Sequence, residues 1–128
     1  MAKTKQFTIG VENRPGAVAE IARTLGNAKV NILALLATAQ ATSGTVQIVV
    51  EDAKRAKKAL DEARVAYRET IAEEYELPNK AGALAQCLDK LAARGVNLNS
   101  IYATSPKGAR KAVVVYTAEV VEKEATAA

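Results

Sequence analysis

Residues 13–38, "NRPGAVAEIARTLGNAKVNILALLAT", lie without a gap on residues 79–104, "NKAGALAQCLDKLAARGVNLNSIYAT", an offset of 66. Nine of the 26 pairs are identical: Asn13, Gly16, Ala17, Ala19, Leu25, Val30, Asn31, Ala37 and Thr38 each meet their own residue type. Most other pairs keep polarity, as Arg14 with Lys80 and Val18 with Leu84 do. A match of this length at a fixed offset marks a duplicated structural unit.

Working outward, Phe7, Ile9 and Val11 alternate with polar or small residues, so 5–12 reads as a half-buried strand. Val18, Ile21, Ala22 and Leu25 recur at helical spacing over 15–27. "KVNILALLATAQ" reads as a second strand, "ATSG" as a turn, and "TVQIVVE" as a third strand with Val46, Ile48 and Val50 on one face. Asp52 is placed to cap a helix over 53–65 that buries Ala53, Ala56, Ala59, Leu60 and Ala63 and turns Lys54, Arg55, Lys57 and Lys58 to water. A fourth strand starts near Val65. The order βαββαβ predicts an α+β, ferredoxin-like unit, with both helices on one face of one sheet.

The second copy departs in two ways. Segment 65–77 has no internal turn signal and keeps Tyr67, Ile71, Tyr75 and Leu77 on one parity, which predicts one long strand or two with a slight bend. After a helix over 81–94, with Leu84, Cys87, Leu88 and Leu91 inward, come strands 96–104 and 111–117, with "SPKGAR" as the turn between them. Only "AEVVEKEATAA" remains, room for one or two helical turns and no closing strand. The expected division is 1–69 and 70–128, the second unit truncated at its C-terminus. Its bare edge or face is expected to be covered by the shared strand or by a second chain.

The 128 residues suit one ordinary domain or two very small ones. Nearly half are apolar and the formal charge is +4, too modest to argue for nucleic acid. No apolar run is long enough for a membrane span, and no signal core follows the basic N-terminus. The single cysteine, Cys87, fits a reducing cytoplasm and lies on an apolar helical stripe, which reads as core. Histidine is absent, which removes the side chain best suited to proton transfer near neutrality and the commonest metal ligand. No metal site, cofactor site or catalytic constellation is expected.

The strand ending in "VENRPGAVAEIARTL", followed by "VNILAL", a hairpin and a helix, resembles an ACT domain, most closely the serine-sensing regulatory domain of 3-phosphoglycerate dehydrogenase. The resemblance covers 5–76, and 71–117 through "LPNKAGALA" and "VNLNSI"; together they resemble small free-standing tandem ACT proteins. It implies an amino acid, or a similar small molecule, held between the strand-to-helix loop of one unit and the second strand of a neighbour. Carried over, the binding residues are Asn13, Gly16, Ala17 and Asn31, and in the repeat Asn79, Gly82, Ala83 and Asn97. Ile32 and Leu98 adjoin the strand asparagines, and Arg14 or Lys80 could add charge. Serine-sensing relatives place a histidine where this chain has Val11 and Leu77, which suggests a less polar pocket. The resemblance also implies a homodimer and an enzyme of amino-acid metabolism as partner.

The chemistry has a footing of its own. The first turn of a helix carries N–H groups without helical partners, glycine permits close approach, and asparagine both donates and accepts. That set suits a carboxylate beside an ammonium. A structural explanation competes: Asn13 is a good N-cap, Pro15 fits a first turn, and Gly16 eases strand–helix packing. Three functions compete with a non-enzymatic sensor. The first is an interaction module with vestigial ligand sites, acting on an enzyme of amino-acid metabolism. The second is an acylphosphatase-like hydrolase, for which neither half has the arginine-bearing phosphate loop. The third is an RNA-binding sheet, for which strands 5–12 and 44–51 offer only Phe7.

Overall fold

A computed structural model describes residues 2–118. Its elements are β1 (Ala2–Glu12), α1 (Ala17–Asn27), β2 (Ile32–Gln40), β3 (Ser43–Val50), α2 (Ala53–Glu62), β4 (Arg68–Pro78), α3 (Ala83–Ala93), β5 (Leu98–Thr104) and β6 (Lys111–Ala118). The helical turns expected from the chain after residue 118 lie outside the described residues. The chain divides into two units, Thr4–Ile71 and a second comprising Ala72 onward with the first three residues.

In the first unit β1 pairs antiparallel with β3, Phe7 opposite Ile48, and β3 pairs antiparallel with β2. Within this unit the order β2-β3-β1 fits the ferredoxin-like plan. Alternation sends Phe7, Ile9, Val46, Ile48 and Val50 to one face, where Ile21 and Leu25 of α1 and Ala56, Ala59 and Leu60 of α2 meet them. Phe7 is buried with its ring edge-on to Tyr67, centroids 5.3 Å apart, so it offers no stacking surface to a base. The Asp52 side chain caps α2 by accepting from the Arg55 N–H at 3.1 Å. Ala63, expected inward, is exposed: α2 stops at Glu62 and Arg64 turns into positive φ.

The second unit orders its own strands β4-β6-β5, with Tyr75 opposite Val114 and Tyr102 opposite Val115. β4 runs unbroken for 11 residues, the long-strand alternative. The register shift between Ile32 and Ala34 recurs 66 residues on, between Leu98 and Ser100, so even the bulge is duplicated. The outer edge of β4 is flanked by the first residues of β1, and Lys3 Nζ reaches Glu73 Oε2 at 3.5 Å. Among the described residues this unit has one helix, α3. Leu91 is buried, but Cys87 and Leu88 are only half-buried and Leu84 is exposed, against the expectation that all four face inward. Ile71 is also exposed, despite its parity with Tyr67 and Tyr75.

Candidate functional site

Both strand-to-helix loops are built the same way. The helix cap is glycine in the left-handed region, Gly16 at φ 88° and Gly82 at φ 87°, and neither cap makes a side-chain hydrogen bond. A side chain at that φ is strained, which explains the glycine in both copies. Pro15 therefore precedes α1, and the helix starts two residues later than its apolar spacing predicts. Ala17 N donates to Arg14 O and Ala83 N to Lys80 O, both at 3.2 Å, so each loop closes on itself just before its helix.

Neither asparagine is an N-cap. The Asn13 amide donates to Ala41 O at 2.8 Å, and Asn13 N to Thr42 O at 3.0 Å. Asn79 repeats this, donating to Ala109 O at 2.8 Å and Pro106 O at 3.1 Å, with Asn79 N on Arg110 O at 2.9 Å. Each asparagine ties its loop to the turn of the following hairpin. The tie spans a two-residue turn with Ala41 at φ 57° in one unit and the longer 105–110 connection in the other. Using the NH2 group this way leaves the side-chain oxygen turned to acceptor work.

Arg14 is engaged rather than merely solvated. Its Nε lies 2.8 Å from Glu12 Oε1 and its Nη2 3.0 Å from Glu20 Oε1. Hydrogen bonds to Glu20 and then Glu12 push the guanidinium pKa up, and the bond from Arg14 holds the Glu20 carboxyl below its usual range. In the repeat Pro78 and Gln86 replace Glu12 and Glu20, so Lys80 stands in a loop without those carboxylates.

A small hollow opens between each loop and the far end of its second strand. The first, about 110 Å³, is lined by Val11, Asn13, Arg14, Ala17, Ala37 and Thr38 among others. The second, about 50 Å³, is lined by Leu77, Asn79, Lys80, Ala83 and Ala103 among others. Gly44 shapes the first: a Cβ there would lie 3.0 Å from Thr38 O and 3.3 Å from Val11 Cγ2. Ala37, Thr38 and Gly44 were not among the sequence candidates, although Ala37 and Thr38 are two of the nine identities in the repeat, matched by Ala103 and Thr104. Ligand sites usually enclose roughly 300–1,000 Å³, so neither hollow by itself has the size of one.

The strand asparagines are elsewhere. Asn31 directly precedes β2 and Asn97 precedes β5, whereas the loops meet the opposite ends of those strands. Nine strand residues at ~3.3 Å each put roughly 25–30 Å between Asn31 and the Asn13 loop. Ile32 and Leu98 share the remote end, paired with Val50 and Ala118. Within a unit, then, the structure groups Val11, Asn13, Arg14 and Ala17, and in the repeat Leu77, Asn79 and Ala83, with Gly16 and Gly82 starting the helices. It separates Asn31, Ile32, Asn97 and Leu98 from them. Among the described residues no cluster of acids and cysteine could hold a metal, and no helix is long and apolar enough to cross a membrane.

The family model described as "ACT domain" matches residues 5–66. Protein BT0572 from Bacteroides thetaiotaomicron superposes with a TM-score of 0.83 at 30% identity, over 94% of this chain and 83% of that one. The ligand-free regulatory subunit of aspartate kinase from Thermus thermophilus gives 0.67 at 16% identity, over 94% and 85%. The aspartokinase alpha and beta subunits give 0.65 at 16% identity, over 91% and 85%. No curated protein sequence matches the chain.

Proposed function

We propose that this chain, which belongs to the ACT-domain family, is a non-enzymatic regulatory protein that binds an amino acid at its two strand-to-helix loops. One observation carries the reading. Nature capped α2 with Asp52, yet α1 and α3 both begin at a positive-φ glycine without a side-chain acceptor, beside an asparagine already fixed in place. First-turn N–H groups left in that state favour a carboxylate, and the asparagine oxygen favours an ammonium. Each hollow is too small alone, and Asn31 and Asn97 lie far from the loops of their own units. These facts support a site completed by a second copy of the chain, and hence a homodimer. Val11 and Leu77 supply an apolar wall, so the favoured side chain is aliphatic rather than hydroxylated. The solved regulatory subunit of aspartate kinase supports a role exercised on an enzyme of amino-acid metabolism.

A panel of the proteinogenic amino acids at millimolar concentration, read by thermal shift, tests this. A ligand at 100 times its Kd stabilises by about 2.7 kcal/mol, well within detection. An aliphatic amino acid is expected to raise Tm and to lose that effect in Gly16→Val. Silence across the panel would sink the reading.

A further inference from the structure

Between the end of α1 and the exposed face of α2 lies a groove of about 570 Å³, lined wholly by residues of the first unit and sharing none with either strand-to-helix loop. Its size falls within the roughly 300–1,000 Å³ usual for ligand sites, unlike the hollows at the loops. The apolar lining is small, Ala28 and Ala59, and the basic lining is Lys54, Arg55 and Lys58. Two carboxylates complete it. Asp52 is committed: it accepts the Arg55 N–H at 3.1 Å as the cap of α2 and stands 3.8 Å from Arg55 Nε. Glu62 ends α2, about two turns from Lys54. Of the four basic residues of α2, Arg55 pairs with Asp52 and Lys57 with Glu69, whereas Lys54 and Lys58 enter no ion pair among the described residues.

We propose that this groove binds a small multivalent anion, a metabolite bearing a phosphate or several carboxylates, independently of the ligand at the loops. Lys54 and Lys58 are four residues apart and so neighbours on one helix face, where like charges repel. An anion seated between the two ammonium groups removes that repulsion and gains charge-assisted hydrogen bonds from both. Arg55, balanced by Asp52, adds directed donors at the N-terminal end of the groove. The chain beside Ala28 carries a further cation. Lys29 holds φ 62°, where the matching residue of the second unit is Gly95 at φ 77°. A lysine kept in a conformation that favours glycine marks a place where the side chain has a use. Ala28 and Ala59 give the body of such a molecule a small apolar surface. Glu62 limits the size of the occupant: its carboxylate repels an anion that extends along α2, so a compact molecule fits and a nucleic-acid strand or an anionic lipid surface does not.

Amide spectra of the isotope-labelled full chain, recorded in about 0.15 M salt to screen loose ion atmospheres, test this with inorganic pyrophosphate and with citrate. Saturable shifts are expected at residues 28 and 52–62 at millimolar concentration or below. Lys54→Gln and Lys58→Gln are each expected to weaken binding about tenfold, the loss of one charge-assisted contact. Lys57→Gln is the control. Lys57 carries the same charge on the same helix but pairs with Glu69 and does not line the groove, so its loss should change binding less than about twofold. All three lysines are exposed, and their substitution leaves the core intact. No saturable shift with either anion overturns the proposal. So does an equal loss in Lys57→Gln, which would reduce the groove to a charged face in water. Tighter binding of a short single-stranded oligonucleotide, or of vesicles containing phosphatidylserine, overturns it in favour of a macromolecular partner.

Discussion

At the centre of the first unit Phe7 meets the edge of the Tyr67 ring; at the matching point of the second, 66 residues on, stands Glu73. One Glu73 oxygen is ion-paired with Lys3, and the other is buried without a hydrogen-bond partner among the described residues. Ile9 becomes Tyr75, which stacks on Tyr116 with centroids 5.8 Å apart. The two units share loops, caps, bulge and strand pairing, so what duplication preserved is backbone geometry. What diverged is the filling on the side where α2 sits. The difference teaches that loop chemistry and core chemistry in this fold answer to separate demands. The loop must keep glycine and asparagine because φ and a directed hydrogen bond require them, while the core tolerates any set of side chains that something covers.

The largest effect should come from the filled side. Leu60→Ala removes a fully buried side chain under α2 and is expected to destabilise the first unit by about 2–5 kcal/mol in denaturant titration. Leu91→Ala, at 2% exposure but lining a groove of about 250 Å³ among the described residues, should fall at the low end of that range. Equal losses would break the contrast. Next come the caps. Gly16→Ala and Gly82→Ala force a side chain into φ near +88° and should each cost about 1–2 kcal/mol, alike in both units. A marked inequality would show that the loops are less equivalent than their geometry.

Smaller losses are expected at the ties. Asn13→Asp keeps an acceptor but loses the donor to Ala41 O, and Asn79→Asp loses two such bonds; about 0.5–1.5 kcal/mol per bond makes Asn79 the more sensitive site. Titration separates the units again. Burial pushes Tyr67 up to about 12, helped by its bond to Asp61, and burial also pushes Tyr102 and Tyr116 up to about 12. A raised folded pKa contributes stability fully present below the unfolded value near 10 and lost as pH rises toward 12. Alkaline unfolding followed at the phenolate absorbance should thus begin between those values, and Tyr67→Phe should remove only the first unit's share. The smallest effect is Glu20→Gln. The carboxyl held low by Arg14 stabilises above the ordinary glutamate range, and that contribution fades as pH falls through the folded pKa. The pair is half-exposed, so the variant should slightly flatten the acid limb of the stability curve and leave neutral pH nearly unchanged.

Much of this was legible in the chain. The offset of 66 disclosed the duplication, period-2 and period-3.6 patterns located every described element to within a few residues, and Asp52 declared the cap of α2. The two strand-to-helix loops were legible as loops. Their internal logic was not: asparagine before a helix reads as an N-cap, and only the hairpin turn folded against it shows that Asn13 and Asn79 bond outward. Leu84 and Ile71 satisfied the apolar period and are nonetheless exposed, because periodicity records which face a residue shares, not whether anything covers that face.

The sequence by itself determined the element order and the twofold use of one plan, since these follow from local propensity and side-chain spacing. Only the tertiary structure decided that Asn31 and Asn97 stand a strand's length from the loops of their own units. It alone showed how small the hollow beside each loop is, and that α3 is the second unit's one helix among the described residues. Those are distances between segments remote in the chain, and they are set by how strands pair and helices cross, which no local pattern encodes.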